Sequence, residues 1–178
     1  MTINANRRTA MYAGVAALAA IAGAGVAWKR QAGQIVGDIP ADAMQAFWAA
    51  EFDAPTGESL PMTAFHGKPL VINFWATWCT PCIEEMPLID AFFCENKEKG
   101  WQVLGLAIDQ PSRVRQFLGQ FPVTYKIGLA GLNGKELVKQ LGNDVGGLPF
   151  TVVLDGQGRL IQQKVGKLTP DDIRKWSI

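Results

Sequence analysis

Trp78-Cys79-Thr80-Pro81-Cys82 stands between an apolar run, Pro69 to Trp75, and a helix-like segment beginning Ile83-Glu84-Glu85-Met86. No other stretch constrains the chain as strongly. Two cysteines separated by two residues, where a strand hands over to a helix, suit reversible dithiol–disulfide chemistry. Residues i and i+3 share one helix face, so both sulfurs can come within bonding distance. Cys79 falls at the helix start, where unpaired backbone N–H groups and the positive end of the dipole favour a thiolate. Pro81 fits the first turn, because the donor it lacks has no partner there anyway. Competing uses of the pair are weaker. Closed zinc sites take four Cys or His ligands, and only Cys94 and His66 exist besides the pair, so such a site would consume every one of them. A static disulfide closing so short a loop removes little unfolded-chain entropy.

The 178 residues hold one ordinary domain and an additional segment. That segment, Ala10 to Trp28, carries no charge and is bracketed by Arg7-Arg8 and Lys29-Arg30. About 20 apolar residues cross a bilayer as a helix, and this run just reaches that length. The expected organisation is a cytoplasmic tail over 1–9, a transmembrane signal-anchor over 10–28, a tether over 29–38 and a folded domain over 39–178. A cleaved signal peptide is the alternative, because the run is rich in Ala and Gly and Ala22 and Ala24 allow a cut after small residues. That would leave a soluble periplasmic protein. Arg7-Arg8 could also begin a twin-arginine signal, although Thr9-Ala10-Met11 continues it poorly. The short N-terminal tail favours N-inside insertion, with the domain on the periplasmic or extracytoplasmic side of the inner membrane, where disulfides persist. Seventeen Lys and Arg oppose sixteen Asp and Glu, but four of the basic residues flank the apolar segment, which leaves the remainder acidic by three. With no basic stripe there, nucleic acid is excluded as a partner.

Along the rest of the chain, Pro40 to Ala50 reads as a short helix whose Met44, Phe47 and Trp48 cap the core. Phe52 to Met62 reads as a hairpin around Pro55-Thr56-Gly57-Glu58. Leu70–Trp75 is apolar almost throughout, which predicts a central strand buried on both faces. The helix opened by the motif should run to about Lys99, kinked at Pro87. A strand over Trp101–Ile108, a helix over Pro111–Gln120 with Val114, Phe117 and Leu118 inward, a strand within Val123–Leu129 and a helix over Lys135–Leu141 follow. Thr151–Leu154 and Arg159–Val165 pair through the turn Asp155-Gly156-Gln157-Gly158, and Pro170 opens a last helix with Asp171 and Asp172 in its first turn. That order is an α/β domain with mixed strand pairing.

Asn73 through Cys82, Pro87 eight residues after the first cysteine, and Leu148-Pro149 in a later loop together resemble the thioredoxin fold. More narrowly, Phe74 through Pro87 is similar to membrane-anchored thiol-disulfide oxidoreductases of the TlpA/ResA type, with the similarity covering about residues 50–178. The resemblance implies a central mixed sheet flanked by helices, with the hairpin and first helix as an N-terminal extension. It also implies that Cys79 is an exposed attacking thiolate and Cys82 a buried resolving thiol. Trp78 and Pro81 support the site, and a cis peptide before Pro149 sets the backbone of Leu148 against the dithiol so that a client segment can pair there. The implied protein is a monomeric reductase of disulfides in exported proteins. It is recharged by a membrane electron donor, has no cofactor beyond its own redox-active disulfide and no metal, and works in cytochrome c or oxidase assembly.

Two features depart from the family pattern. Asn73 stands where thioredoxins proper carry a buried acid. Gly147-Leu148-Pro149-Phe150 lacks the Gly-Ala-Pro-Glu pattern of dedicated cytochrome c maturation members. Glu84 and Glu85 are expected in the helix's first turns, where dipole and solvation favour them, rather than at the dithiol. Cys94, beside Phe92 and Phe93, is expected to be half-buried. Two other functions compete. A thiol peroxidase wants a Thr or Ser three residues before the reactive cysteine and a Pro upstream, where this chain has Ala76 and Ile72. A copper chaperone would use the dithiol as soft ligands, with His66 or a Met.

Overall fold

The computed structural model describes residues 39–176. The tail, anchor and tether expected over residues 1–38 lie outside the described residues. Helix α1 (Ala41–Trp48) leads into the hairpin β1 (Glu51–Asp53) and β2 (Ser59–Pro61), followed by a 3-10 turn at Met62–Phe65. Strand β3 (Leu70–Trp75) then feeds the long helix α2 (Thr80–Asn96). Strand β4 (Gln102–Ala107), helix α3 (Pro111–Gln120), strand β5 (Lys126–Leu129) and helix α4 (Gly134–Gln140) continue the chain. Strands β6 (Phe150–Leu154) and β7 (Leu160–Val165) precede a short helix α5 (Pro170–Arg174).

The seven strands form one mixed sheet in the order β2-β1-β5-β4-β3-β6-β7. Strand β3 lies parallel to β4 and antiparallel to β6, with Asn73 opposite Gly105 on one side and Thr151 on the other. All six of its residues are buried, as an apolar run with covered faces requires. Alternation divides them. Val71 and Trp75 join Cys79, Cys82, Ile89, Val114 and Trp176 beneath α2 and α3. Leu70, Ile72 and Phe74 join Phe47, Phe65, Val138 and Phe150 beneath α1 and α4. Phe92 of α2 meets Trp101 and Trp176 edge-on, each with centroids 5.1 Å away, so one aromatic cluster closes the first layer. Phe47 is 1 % exposed with Met44 and Trp48 packed around the same cluster, which bears out the capping role expected of α1.

The C-terminal helix does more than the sequence suggests. Thr169 caps it, and Asp172 closes a capping box while also pairing with Lys164 of β7. Elsewhere the architecture depends on close approach. A Cβ at Gly134, the first residue of α4, would lie 2.8 Å from both Ala130 Cβ and Ile108 Cγ1, neither of which can swing aside. Gly134→Ala therefore destabilises by about 1–3 kcal/mol through overpacking, although alanine is the better helix former. Urea unfolding measures it, and an unchanged midpoint would refute it.

Candidate functional site

The carboxyl end of β3 is where the loops converge. After Trp75 the chain makes a turn closed by the Cys79 N–H on the Ala76 carbonyl (3.1 Å). Asp109, just beyond β4, pins that turn: its Oδ2 accepts from the Thr77 N–H at 3.0 Å and from the Thr77 hydroxyl. Burial pushes the Asp109 carboxyl up, but the Thr77 and Gln110 bonds outweigh it and hold the group below the ordinary value. Sequence reasoning passed over Asp109, although an acid directly after a core strand and level with the motif is a readable signal.

Cys79 occupies the N-cap of α2, its carbonyl accepting from the Cys82 and Ile83 N–H groups at 3.0 and 3.2 Å. No acidic residue lies in the first turn, so nothing there neutralises the positive end of the helix. Cys79 and Cys82 are joined in a disulfide with Cα atoms 5.3 Å apart. Cys79 is 5 % exposed and Cys82 fully buried. Cys79 is the more accessible of the two, but it is buried rather than exposed as expected: in the oxidised form only its edge reaches solvent. Trp78 beside it is 59 % exposed, and Pro81 is exposed on the first turn. The Leu148–Pro149 peptide is cis, as the resemblance implies. Phe150 pairs with Phe74, so Pro149 continues that register at the same end of the sheet as the disulfide.

Glu85 overturns an expectation. It is fully buried, one helical turn beyond Cys82 on the same face of α2, rather than solvated near the helix start. Its Oε1 accepts from Asn73 Nδ2 at 2.7 Å and its Oε2 from the Leu168 N–H at 2.6 Å. Desolvation by burial raises its pKa from 4.5 to about 7, against the opposing pull of those bonds and of Lys164 and Lys167. Glu84 does stay at the surface, paired with Lys167 at 2.6 Å. The acid missing from position 73 is thus supplied from the helix facing it, with Asn73 as its donor. Helical spacing could have shown this, since Cys82, Glu85, Ile89 and Phe92 form one buried stripe.

The remaining candidates disperse. His66 stacks on Trp48 with centroids 4.4 Å apart. It precedes β3 whereas Cys79 follows it, so a strand of about 20 Å separates them. Among the described residues no group of three or more His, Cys, Asp or Glu is placed to hold a metal ion. Cys94 is exposed, not half-buried, with Sγ 3.4 Å from Thr124 Oγ1. The helical turn carries it past the edge of the packed stripe that Phe92 occupies.

Known proteins agree with this geometry. The chain is 31 % identical over 121 residues to the thiol-disulfide oxidoreductase ResA of Bacillus thuringiensis, covering 67 % of this chain and 68 % of that one. It is 32 % identical over 139 residues to ResA of Oceanobacillus iheyensis, covering 76 % and 68 %. The crystal structure of a thioredoxin-related protein from Neisseria meningitidis superposes with a TM-score of 0.62 at 30 % identity, over 70 % of this chain and 93 % of that one. Fold and chemistry together define a thioredoxin-like thiol-disulfide oxidoreductase with a CxxC centre. The redoxin family model matches residues 36–175, and the chain belongs to that family, resembling its ResA-type members.

Glu85 makes stability depend on pH. The folded protein holds the Glu85 proton more tightly than the unfolded chain, so this contribution is complete below pH 4.5 and is lost as pH rises through about 7. The loss is about 3 kcal/mol, taking 1.36 kcal/mol per unit. Urea titrations of oxidised protein between these limits should show it, with Glu85→Gln nearly flat. Equal slopes in the two proteins would refute the assignment.

Proposed function

We propose that the protein reduces disulfides of exported proteins, with Cys79 as the attacking thiolate, Cys82 as the resolving thiol and Glu85 as the proton acceptor for Cys82. The observation carrying this reading is the Cys79–Cys82 pair at the carboxyl end of the central strand, its outer sulfur at a helix N-terminus and its inner one a turn from a buried carboxyl. The Cys79 thiolate attacks one sulfur of a client disulfide. That S–S bond breaks, one client sulfur leaves as thiolate, and a mixed disulfide forms. Cys82 then loses its proton to the Glu85 carboxylate and attacks Cys79 Sγ. The second client sulfur departs, and two electrons have passed from the dithiol to the client. A pKa of about 7 suits Glu85 to take and release that proton near neutrality.

Trp78, Pro81, Leu148 and Pro149 frame the approach to Cys79. The uncharged run over 10–28 supports anchoring to the inner membrane with the domain on the extracytoplasmic side. A dithiol in so oxidising a compartment needs replenishment, which supports a membrane-borne donor of electron pairs. Assembly of cytochrome c or of an oxidase is the setting we assign to it, by likeness to ResA-type proteins.

Cys82→Ser in the native membrane tests the roles. Client proteins should accumulate as adducts on Cys79, released by reductant and absent from the Cys79→Ser, Cys82→Ser double variant. Adducts attached instead through Cys82 in a Cys79→Ser protein, with none on Cys79, would reverse the assignment.

A further inference from the structure

We propose that Asn143 is a positioning residue: by holding the Gly147 carbonyl inward it aims the Leu148 N–H outward, as half of a one-residue strand edge for an extended client polypeptide. The inference rests on the reading that clients exchange disulfides at Cys79 and pair with the Leu148 backbone, as the family resemblance implies, and adds only the residue that orients that backbone.

Asn143 follows α4 and is fully buried. Its Nδ2 donates to the Gly147 carbonyl at 2.8 Å. A carbonyl can accept only from the NH2 side of the amide, so the bond itself fixes which way the side chain faces. Its backbone joins the loop to the helix before it: the Asn143 N–H donates to the Val138 carbonyl of α4 and its own carbonyl accepts from the Gly146 N–H at 2.9 Å. Gly146 has φ +63°, a conformation that glycine adopts without strain. Burial of this amide is costly, since Oδ1 has no hydrogen-bond partner among the described residues. An apolar residue would fill the space without that cost, so the bond to Gly147 is what the amide contributes.

The geometry of the peptide carries the rest. Leu148–Pro149 is the one cis bond among the described residues, so Gly147–Leu148 is trans. In a planar trans peptide the C=O and N–H point in opposite directions. Pinning the Gly147 oxygen to a buried side chain therefore turns the Leu148 N–H away from the interior. One peptide further on, the Pro149 carbonyl accepts from the Gly166 N–H at 2.8 Å and is held in the sheet. Between these two pins the Leu148 N–H and C=O make no hydrogen bond within the described chain, while the Leu148 side chain packs against both apolar layers. A residue of an antiparallel strand exchanges both of its bonds with a single residue opposite. Leu148 leaves both groups of that pair unbonded, its N–H turned outward, at the end of the sheet that carries the disulfide. A client then has less to order on binding.

Two probes test this by single-turnover oxidation of reduced full-length protein. One is the disulfide-linked dimer of a short extended peptide, and the other is 2-hydroxyethyl disulfide, which has no peptide group. Asn143→Leu should lower the ratio of their second-order rate constants about fivefold, the worth of one hydrogen bond. An unchanged ratio, with both rates falling together, overturns the role of Asn143 and leaves the exchange chemistry standing. With unaltered protein, peptides N-methylated in turn at each residue flanking the cysteine should lose about fivefold at one position. Equal rates for all of them overturn the strand edge. Oxidation by neither probe overturns both this inference and the proposed reductase.

Discussion

Strand β3 is the constraint from which the site follows. Six consecutive buried residues, paired to β4 on one side and β6 on the other, leave it no freedom to slide without turning Asn73 toward the opposite layer. Its carboxyl end is therefore a fixed point. The dithiol follows directly from it, Asp109 arrives from the end of β4 to clamp Thr77, and the cis Leu148–Pro149 loop arrives at the start of β6. Ligand sites in open α/β sheets gather outside the carboxyl ends of strands, and the proposed site lies in that place.

Against this rigid frame the protein tolerates one expensive group. A carboxyl buried among Cys82, Met86 and Ile89 costs stability above neutral pH, and an apolar residue there would remove the cost. Asn73, Leu168 and the two lysines offset only part of it. Such a group is expected where a proton must be taken up and given back, not where packing alone matters. The same contacts tie α2 to β3 and to the loop before α5, so the proton state of Glu85 is coupled to three elements around the proposed resolving sulfur.

Much of this was legible in the residues. Period and composition identified β3 and α3 to the residue, because a continuous apolar run bounded by His66-Gly67-Lys68-Pro69 and a Pro-led amphipathic segment allow few alternatives. The dithiol, its place at a helix start and the turn carrying Leu148–Pro149 were equally plain. What escaped was tertiary. Charge alone assigns Glu85 to the solvated first turns of the helix, whereas its place on the Cys82–Ile89–Phe92 stripe buries it. The aromatic residues before Cys94 suggest burial, whereas its angle on the helix turns it to solvent. Asp109 bonds to Thr77 across 32 residues, so only its place directly after a core strand hinted at the contact, and the Asn143 bond to Gly147 depends on how the intervening loop turns back.

The proposed division of labour comes down to two sulfurs three residues apart that differ in access and in electrostatic surroundings. Reduced protein treated with iodoacetamide near pH 7, with peptide mapping to set aside the exposed Cys94, measures that difference directly. The expected result is modification of Cys79 about ten times faster than Cys82, since the sulfur at the helix start is the one held as thiolate. Equal rates, or Cys82 reacting first, would contradict the assignment of Cys79 as the attacking atom.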